Sequence, residues 1–224
     1  MESKVDEPSG PHACARREEI LDAATLLFAE QGYDATGTQD LAEKLQVGKG
    51  TLYRYFPSKR DLFLAAVDRV MRRLRASVDA AIEGIEEPLE RIERAVYTYL
   101  DFFASHPEYV ELLIQERAQF KDRKAPTWIT HRNNSVERWR TIYGGLIAAG
   151  RLREMPVERI TDVLSDLLYG TMFTNYFAGQ RKPSREQAHD ILDIIYHGIL
   201  SDSERLQHAA RRPSGLVLDQ GGKD

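Results

Sequence analysis

The sequence predicts an all-α protein of about nine helices, arranged as an N-terminal three-helix unit followed by a larger helical domain. Three observations predict it. Apolar residues recur at helical spacing along nearly the whole chain, and no segment sustains the apolar/polar alternation of a half-buried strand. Proline stands at or beside five expected helix starts (Pro88, Pro107, Pro126, Pro156, Pro183), where its missing N–H costs least. Glycine marks expected stops at Gly32, Gly84, Gly150 and Gly179.

The elements follow in order. Residues 1–14 carry Pro8, Gly10 and Pro11 and are expected to form a disordered arm. The stretch Met1 to Pro11 has no apolar core, so no secretory leader is expected. The first helix is predicted from Arg16 to Gln31, with Ile20, Ala23, Ala24, Leu27 and Phe28 on its buried stripe. A short helix over Thr38–Leu45 buries Leu41, Ala42 and Leu45. A tight turn, Gln46-Val47-Gly48, leads to a second short helix over Lys49–Phe56, which Pro57 ends. Ser58 is a good N-cap for the next helix, whose apolar stripe runs from Leu62 through Leu74. Longer helices are predicted over Pro88–Ser105, Pro107–Phe120, Pro126–Ala149, Val157–Ala178 and Arg185–Leu206, and residues 211–224 are expected to be a disordered tail. These elements divide the chain into a small unit at 15–62 and a larger one at 63–210.

Composition narrows the function classes. Hydrophobic residues make up 42% and charged residues 29%, as in water-facing globular chains. No run of eighteen apolar residues exists, so no membrane segment is expected, and a cytoplasmic location is the default. Cys14 is the single cysteine, which excludes an internal disulfide and a Cys-rich zinc site. The six histidines are scattered without ligand spacing, so neither a metal nor a cofactor is expected. No nucleophile is tied to a base, which argues against an enzyme. The net charge of -4 argues against general affinity for nucleic acid. Yet from Lys44 to Arg60 the charged residues are Lys44, Lys49, Arg54, Lys59 and Arg60, with no acid among them. Such a local cationic segment suits a focused contact with phosphates.

Two short helices joined by a tight turn, behind a longer first helix, form the helix-turn-helix plan. The second short helix must present an unobstructed polar face to the major groove. Lys49, Gly50, Thr51, Tyr53, Arg54 and Tyr55 supply that face, while Val47, Leu52 and Phe56 hold the helix to its scaffold. The stretch from Ile20-Leu21-Asp22-Ala23-Ala24 through Gly50-Thr51-Leu52-Tyr53-Arg54-Tyr55-Phe56, with Ser58-Lys59 after it, resembles the N-terminal domain of TetR/AcrR transcriptional regulators. Beyond it the chain is similar to that family in helical layout and length, not by motif. Two positions depart from the usual pattern: Gln46 stands where the family often has Gly in the turn, and Gly37 and Gly48 occupy caps that are often Ser or Thr.

The resemblance implies a repressor that binds double-stranded, palindromic operator DNA as a homodimer and is released by a small-molecule effector. The effector's identity is not readable from the sequence, beyond an expectation that it is small and largely apolar. It implies roles for Lys49 at the start of the recognition helix and for Gly50, where the absence of a side chain lets the backbone near the phosphates. Thr51 and Arg54 face the groove, Arg54 being the best candidate for a bidentate contact to guanine. Tyr53 and Tyr55 reach phosphates or a thymine methyl, and Lys59 and Thr38 reach phosphates beside helix N-termini. Arg60 is expected in solvent or on an acid. The competing reading is a helical binding protein whose N-terminal motif is incidental.

In the larger domain the last two helices carry apolar residues on more than one side, which calls for a second partner surface. Leu164, Leu168, Met172, Ile191, Ile195 and Gly198 are the candidates for a homodimer interface. Aromatic side chains gather in the middle helices, with polar residues among them, as a drug-sized pocket requires. The candidate pocket residues are Phe102, Phe103, Tyr109, Glu116, Phe120, Trp139, Tyr143, Phe173 and Tyr176.

Overall fold

The computed structural model describes residues 10–180 and 182–197 of the chain. Among them run nine helices and no strand: α1 (Pro11–Gln31), α2 (Thr38–Lys44), α3 (Lys49–Tyr55), α4 (Lys59–Ile82), α5 (Pro88–Ser105), α6 (Pro107–Gln119), α7 (Thr127–Ala148), α8 (Val157–Ala178) and α9 (Ser184–His197). The expected tail, 211–224, lies outside the described residues.

Local chemistry sets most boundaries. α1 begins earlier than expected, so residues 11–14 are helical rather than part of an arm. Pro11 takes the first helical position, Cys14 N–H donates to Gly10 O at 3.0 Å, and Ala13 packs on the core. Gly32 ends α1 at φ +84°, and buried Thr36 closes the following loop by donating its hydroxyl to Gly32 O at 2.7 Å. Gly37 caps α2 without a side chain, but Asp40 compensates, its carboxylate accepting from Gly37 N–H at 3.0 Å. Gln46 sits at φ +53°, the one non-glycine in the left-handed region among the described residues. The turn forces this, at a cost of roughly 1–2 kcal/mol, because Val47 N–H must reach back to Ala42 O at 2.9 Å. Ser58 caps α4 as expected, its Oγ accepting from Asp61 N–H at 3.1 Å.

The small unit shares its core with the large one. Phe28, Phe63, Leu41, Leu52 and Leu62 are fully buried in a cluster that runs on through Val67, Val70, Leu112 and Phe120. Phe63 meets Phe28 edge-on at 5.0 Å, and Phe120 meets Tyr33 at 5.0 Å, so α6 packs against the N-terminal unit. Polar contacts fix the same junction. Gln115 donates to Phe28 O at 2.9 Å, Gln119 donates to Asp34 at 2.7 Å, and Arg60 donates to Asp122 at 2.7 Å. Buried Arg69 of α4 pairs with Glu18 and Asp22 of α1. A second core lies farther along, built from Ile92, Val96, Leu100, Tyr143, Leu146, Leu164, Ala188 and Leu192 of α5, α7, α8 and α9.

Candidate nucleic-acid interface and ligand chamber

α3 is held from below by Leu52, Tyr55 and Phe56, all buried. This corrects one expectation: Tyr55 is 6% exposed and belongs to the core, not to the outer face. The spacing explains it, since positions 52, 55 and 56 share one side of a helix. Lys49, Gly50, Tyr53 and Arg54 are exposed and Thr51 is half-buried. A Cβ added at Gly50 would meet nothing within 4 Å, and its φ is not positive, so nothing inside the fold requires glycine there. Tyr53 OH and Thr38 Oγ1 lie 3.1 Å apart, tying α3 to the start of α2 at the surface.

The flanking cations differ in how free they are. Lys59 donates to Asp34 O at 3.1 Å and its ammonium stands 4.5 Å over the Tyr33 ring. Arg60 is held by Asp122, as an acid-paired residue should be, and that hydrogen bond raises the Arg60 pKa and lowers that of Asp122. Arg16 reaches Leu45 O at 3.2 Å, and Arg17 lies 5.0 Å over Phe56. Lys49 and Arg54 remain outward, with no acid on α3 to neutralise them.

In the larger domain a cavity of about 170 Å³ opens between α4, α5, α7 and α8. Its apolar wall includes Met71, Leu74, Val78, Ile92, Val96 and Leu168, and it contains Trp139 and Tyr143 of the expected pocket set. The other seven expected residues lie elsewhere. Phe102, Phe103 and Tyr109 pack on one another at the α5–α6 corner, with ring separations of 5.3 and 5.4 Å. Phe120 fills the junction with the N-terminal unit, and Phe173 packs edge-on against Tyr169 at 4.7 Å. Tyr176 donates to Glu111 at 2.5 Å, which raises its pKa to about 12. Glu116 is buried and caps α7, accepting from Thr127 N–H at 2.9 Å and Thr127 Oγ1 at 2.7 Å and pairing with Arg123. What the sequence reading missed is the polar part of the wall: Arg75, His131, Arg132, Ser135, Arg138 and Ser165. The one available signal was the spacing of His131, Ser135 and Arg138 on a single face of α7.

The expected dimer residues also turn inward. Leu164 is buried and Leu168 half-buried in the second core, and both line the cavity. Met172 is 2% exposed beneath Tyr99, whose hydroxyl is 3.8 Å from its sulfur. Ile191 and Ile195 pack on the second core, and Gly198 lies outside the described residues. The outward apolar residues are instead Val163 (56% exposed), Leu167, Phe177 (71%) and Ile194 (49%), one helical phase away. No helix among the described residues is long and apolar enough to cross a membrane, and no group of His, Cys, Asp and Glu among them could hold a metal.

A tight helix-turn-helix with an outward cationic recognition helix, joined to a helical domain that holds a cavity, defines the class: a two-part helical regulator built to meet DNA. The family comparisons agree. The model for bacterial regulatory proteins of the tetR family matches residues 20–66, and that for a tetracyclin repressor-like C-terminal domain matches residues 85–173. The chain belongs to the TetR family. It is 37% identical over 84 residues to the HTH-type transcriptional regulator HbdR of Aromatoleum sp. (strain CIB), covering 38% of this chain and 37% of that one. It is 40% identical over 77 residues to the HTH-type transcriptional repressor KstR of Mycolicibacterium smegmatis, covering 34% of this chain and 38% of that one. The matches thus span well under half the length of these curated relatives. Among solved structures, the TetR-family regulator PfmR from Thermus thermophilus aligns with a TM-score of 0.66 at 26% identity, over 81% of this chain and 99% of that one.

Proposed function

We propose that the protein is a transcriptional repressor that binds a palindromic operator as a homodimer in the cytoplasm and is released by a small, largely apolar ligand in the α4–α5–α7–α8 cavity. The observation that carries this reading is the outer face of α3. Lys49, Gly50, Thr51, Tyr53 and Arg54 contribute little to the core, yet they combine positive charge, hydroxyls and a glycine that the fold does not need. A purely structural helix has no use for such a face. A major groove does, because phosphates take the cations and base edges take Arg54.

Dimerisation is supported by the exposed apolar residues of α8 and α9. Val163, Leu167, Ile194 and Phe177 would cost solubility if left in water and suit an isologous four-helix contact with a second copy. Release is supported by α4. Its first turn holds Lys59, and its later residues Met71, Leu74, Arg75 and Val78 form cavity wall. From Lys59 to Val78 the helix rises about 28 Å at about 1.5 Å per residue, so one element touches both sites. The regulator and repressor names of the relatives support a regulatory role.

The test is selection of DNA fragments by the full chain, followed by titration across salt. A two-fold-symmetric site should emerge, and its affinity should fall steeply with salt as phosphate contacts release counterions. Arg54→Ala should cost about 1–3 kcal/mol and relax preference at one base pair, while Lys59→Ala should weaken all sequences alike. A chain that binds every fragment equally, or none, overturns the proposal.

A further inference from the structure

The cavity's charge is one-sided. Arg75, Arg132, Arg138 and His131 stand in its wall, and among the described residues not one Asp or Glu does. The acids that neutralise these groups stand behind the wall. Asp162 of α8 meets Arg132 at 2.6 Å, Asp68 of α4 meets His131 at 2.8 Å, and Asp79 of α4 pairs with Arg138 and lies 3.6 Å from Arg75. A molecule entering the cavity therefore meets an apolar body of space whose charged wall residues, among the described residues, are the arginines Arg75, Arg132 and Arg138.

Arg132 is the most specific of them. Asp162 Oδ1 accepts only from its Nη2, and its Nε is buried with no acceptor. Nε and Nη2 form one edge of the planar guanidinium, the edge that a carboxylate can grip with both oxygens. Asp162 uses half of that edge and leaves the other half unmade. A buried N–H without a partner is costly, and Arg132 is one of the lining residues, so an acceptor that reaches this edge would meet a donor already desolvated. Arg138 adds a second positive charge from one and a half turns along the same helix, held with its guanidinium 5.0 Å over the Trp139 ring.

We propose that the cavity selects a small amphipathic monocarboxylate, whose apolar body fills the space between α4, α5, α7 and α8 and whose carboxylate takes the Nε–Nη2 edge of Arg132 in competition with Asp162. This rests on the reading of the cavity as the effector site and gives that effector its chemistry. The volume, about 170 Å³, suits a single ring or a short alkyl chain, being close to the roughly 150 Å³ of cavities that take up benzene. Neutral apolar molecules of the same size would enter but leave Nε unsatisfied, and cations would be repelled.

The chain carries its own reporter, since its two tryptophans, Trp128 and Trp139, both line the cavity. The experiment is a fluorescence titration of the full chain with straight-chain carboxylates from hexanoate to dodecanoate, and with the alcohols of the same lengths. The expected result is that at least one carboxylate binds tenfold or more tightly than its alcohol. In Arg132→Gln that preference disappears while alcohol affinity holds. In Asp162→Asn, which removes the competitor and leaves the arginine, carboxylate affinity rises. Equal affinity for carboxylate and alcohol in the native chain overturns the carboxylate assignment while leaving the cavity as a ligand site. So does a carboxylate preference that survives Arg132→Gln. If no member of either series changes the fluorescence, the effector-site reading falls and this assignment falls with it. Should Arg132→Gln fail to fold, the Asp162→Asn arm decides: unchanged or weaker carboxylate binding there overturns the proposal.

Discussion

Replacing Gly50 with Ala should separate stability from DNA binding. Gly50 is the second residue of α3, exposed, with no positive φ. A methyl group there meets no atom within 4 Å, so it adds no clash. It does remove conformational freedom from the unfolded chain, and alanine in a helix is favoured over glycine by about 0.5–1 kcal/mol. For a chain of this length each kcal/mol moves the melting temperature by about 2–4 °C, so Gly50→Ala should melt roughly 1–4 °C higher. In the proposed docking on DNA the same methyl would stand where the backbone of the recognition helix comes nearest the phosphates. Displacing the helix by a fraction of an ångström loosens several charge-assisted contacts at once, and a tenfold loss, about 1.4 kcal/mol, is the smallest effect expected. Thermal melting followed by circular dichroism reads the first quantity, and fluorescence anisotropy on the selected operator reads the second. The combination is informative because a destabilised protein cannot mimic it. A variant that melts higher and binds DNA as tightly as the parent would refute the argument that DNA explains this glycine. A variant that melts lower would refute the premise that the fold has room for the methyl.

Three further outcomes follow from the geometry. Ile194→Asp places a charge on the outward face of α9 without touching either core, so sedimentation should show monomers, and operator affinity should fall with the dimer; a dimer of unchanged strength removes this face from the interface. Ser58→Ala deletes the hydroxyl that accepts from Asp61 N–H and should cost about 1 kcal/mol, read as a lower urea midpoint with unchanged slope. Tyr176 titrates near 12 in the folded chain because it donates to Glu111, against an ordinary 10, so the folded state holds its proton longer than the unfolded state. Its contribution is therefore complete below pH 10 and lost as pH rises from 10 towards 12, and urea midpoints across that range should fall less steeply in Tyr176→Phe than in the parent.

Punctuation made the helices legible. Pro88, Pro107, Gly32, Gly150 and Ser58 act on their own neighbours, so the residues that end an element announce it locally. Facing was harder. The hydroxyl of Tyr55 argues for an outward position, whereas its spacing from Leu52 and Phe56 argues for the core, and the spacing prevails. On α8 two apolar stripes lie one residue apart, Val163–Leu167 and Leu164–Leu168–Met172, and each is a valid helical stripe. Only the position of α5 and α7 decides that the second faces in. The cavity was least legible of all. A void is where side chains fail to meet, and no residue encodes it. Aromatic density pointed to the α5–α6 corner because rings fill space, and the corner is accordingly packed solid.

Two helices of the larger domain, α4 and α6, are joined to the N-terminal unit. Gln115 of α6 donates from one nitrogen both to Phe28 O of α1 and to Glu111, which in turn accepts from Tyr176 of α8. Those two acceptors fix the amide's orientation and leave its own Oε1 buried without a donor, a cost the fold accepts to hold α1 on α6. With Arg69 clasping α1 to α4, the N-terminal unit, α4 and α6 are bound together. Release as proposed then amounts to a change in the seating of these elements on α5, α7 and α8. The cavity lies along that seam, with Met71, Leu74 and Val78 on one side and Ile92, Trp139 and Leu164 on the other. A ligand there acts on the seam itself, and it need prefer one seating over the other by only a few kcal/mol. By linkage DNA must then weaken ligand binding by the same factor, and Gln115→Leu, which removes the hydrogen bond from α6 to Phe28 O of α1 while leaving the cavity wall intact, should reduce that factor without changing ligand affinity in the absence of DNA. If the factor survives Gln115→Leu undiminished, α6 is a passive support and α4 carries the coupling by itself.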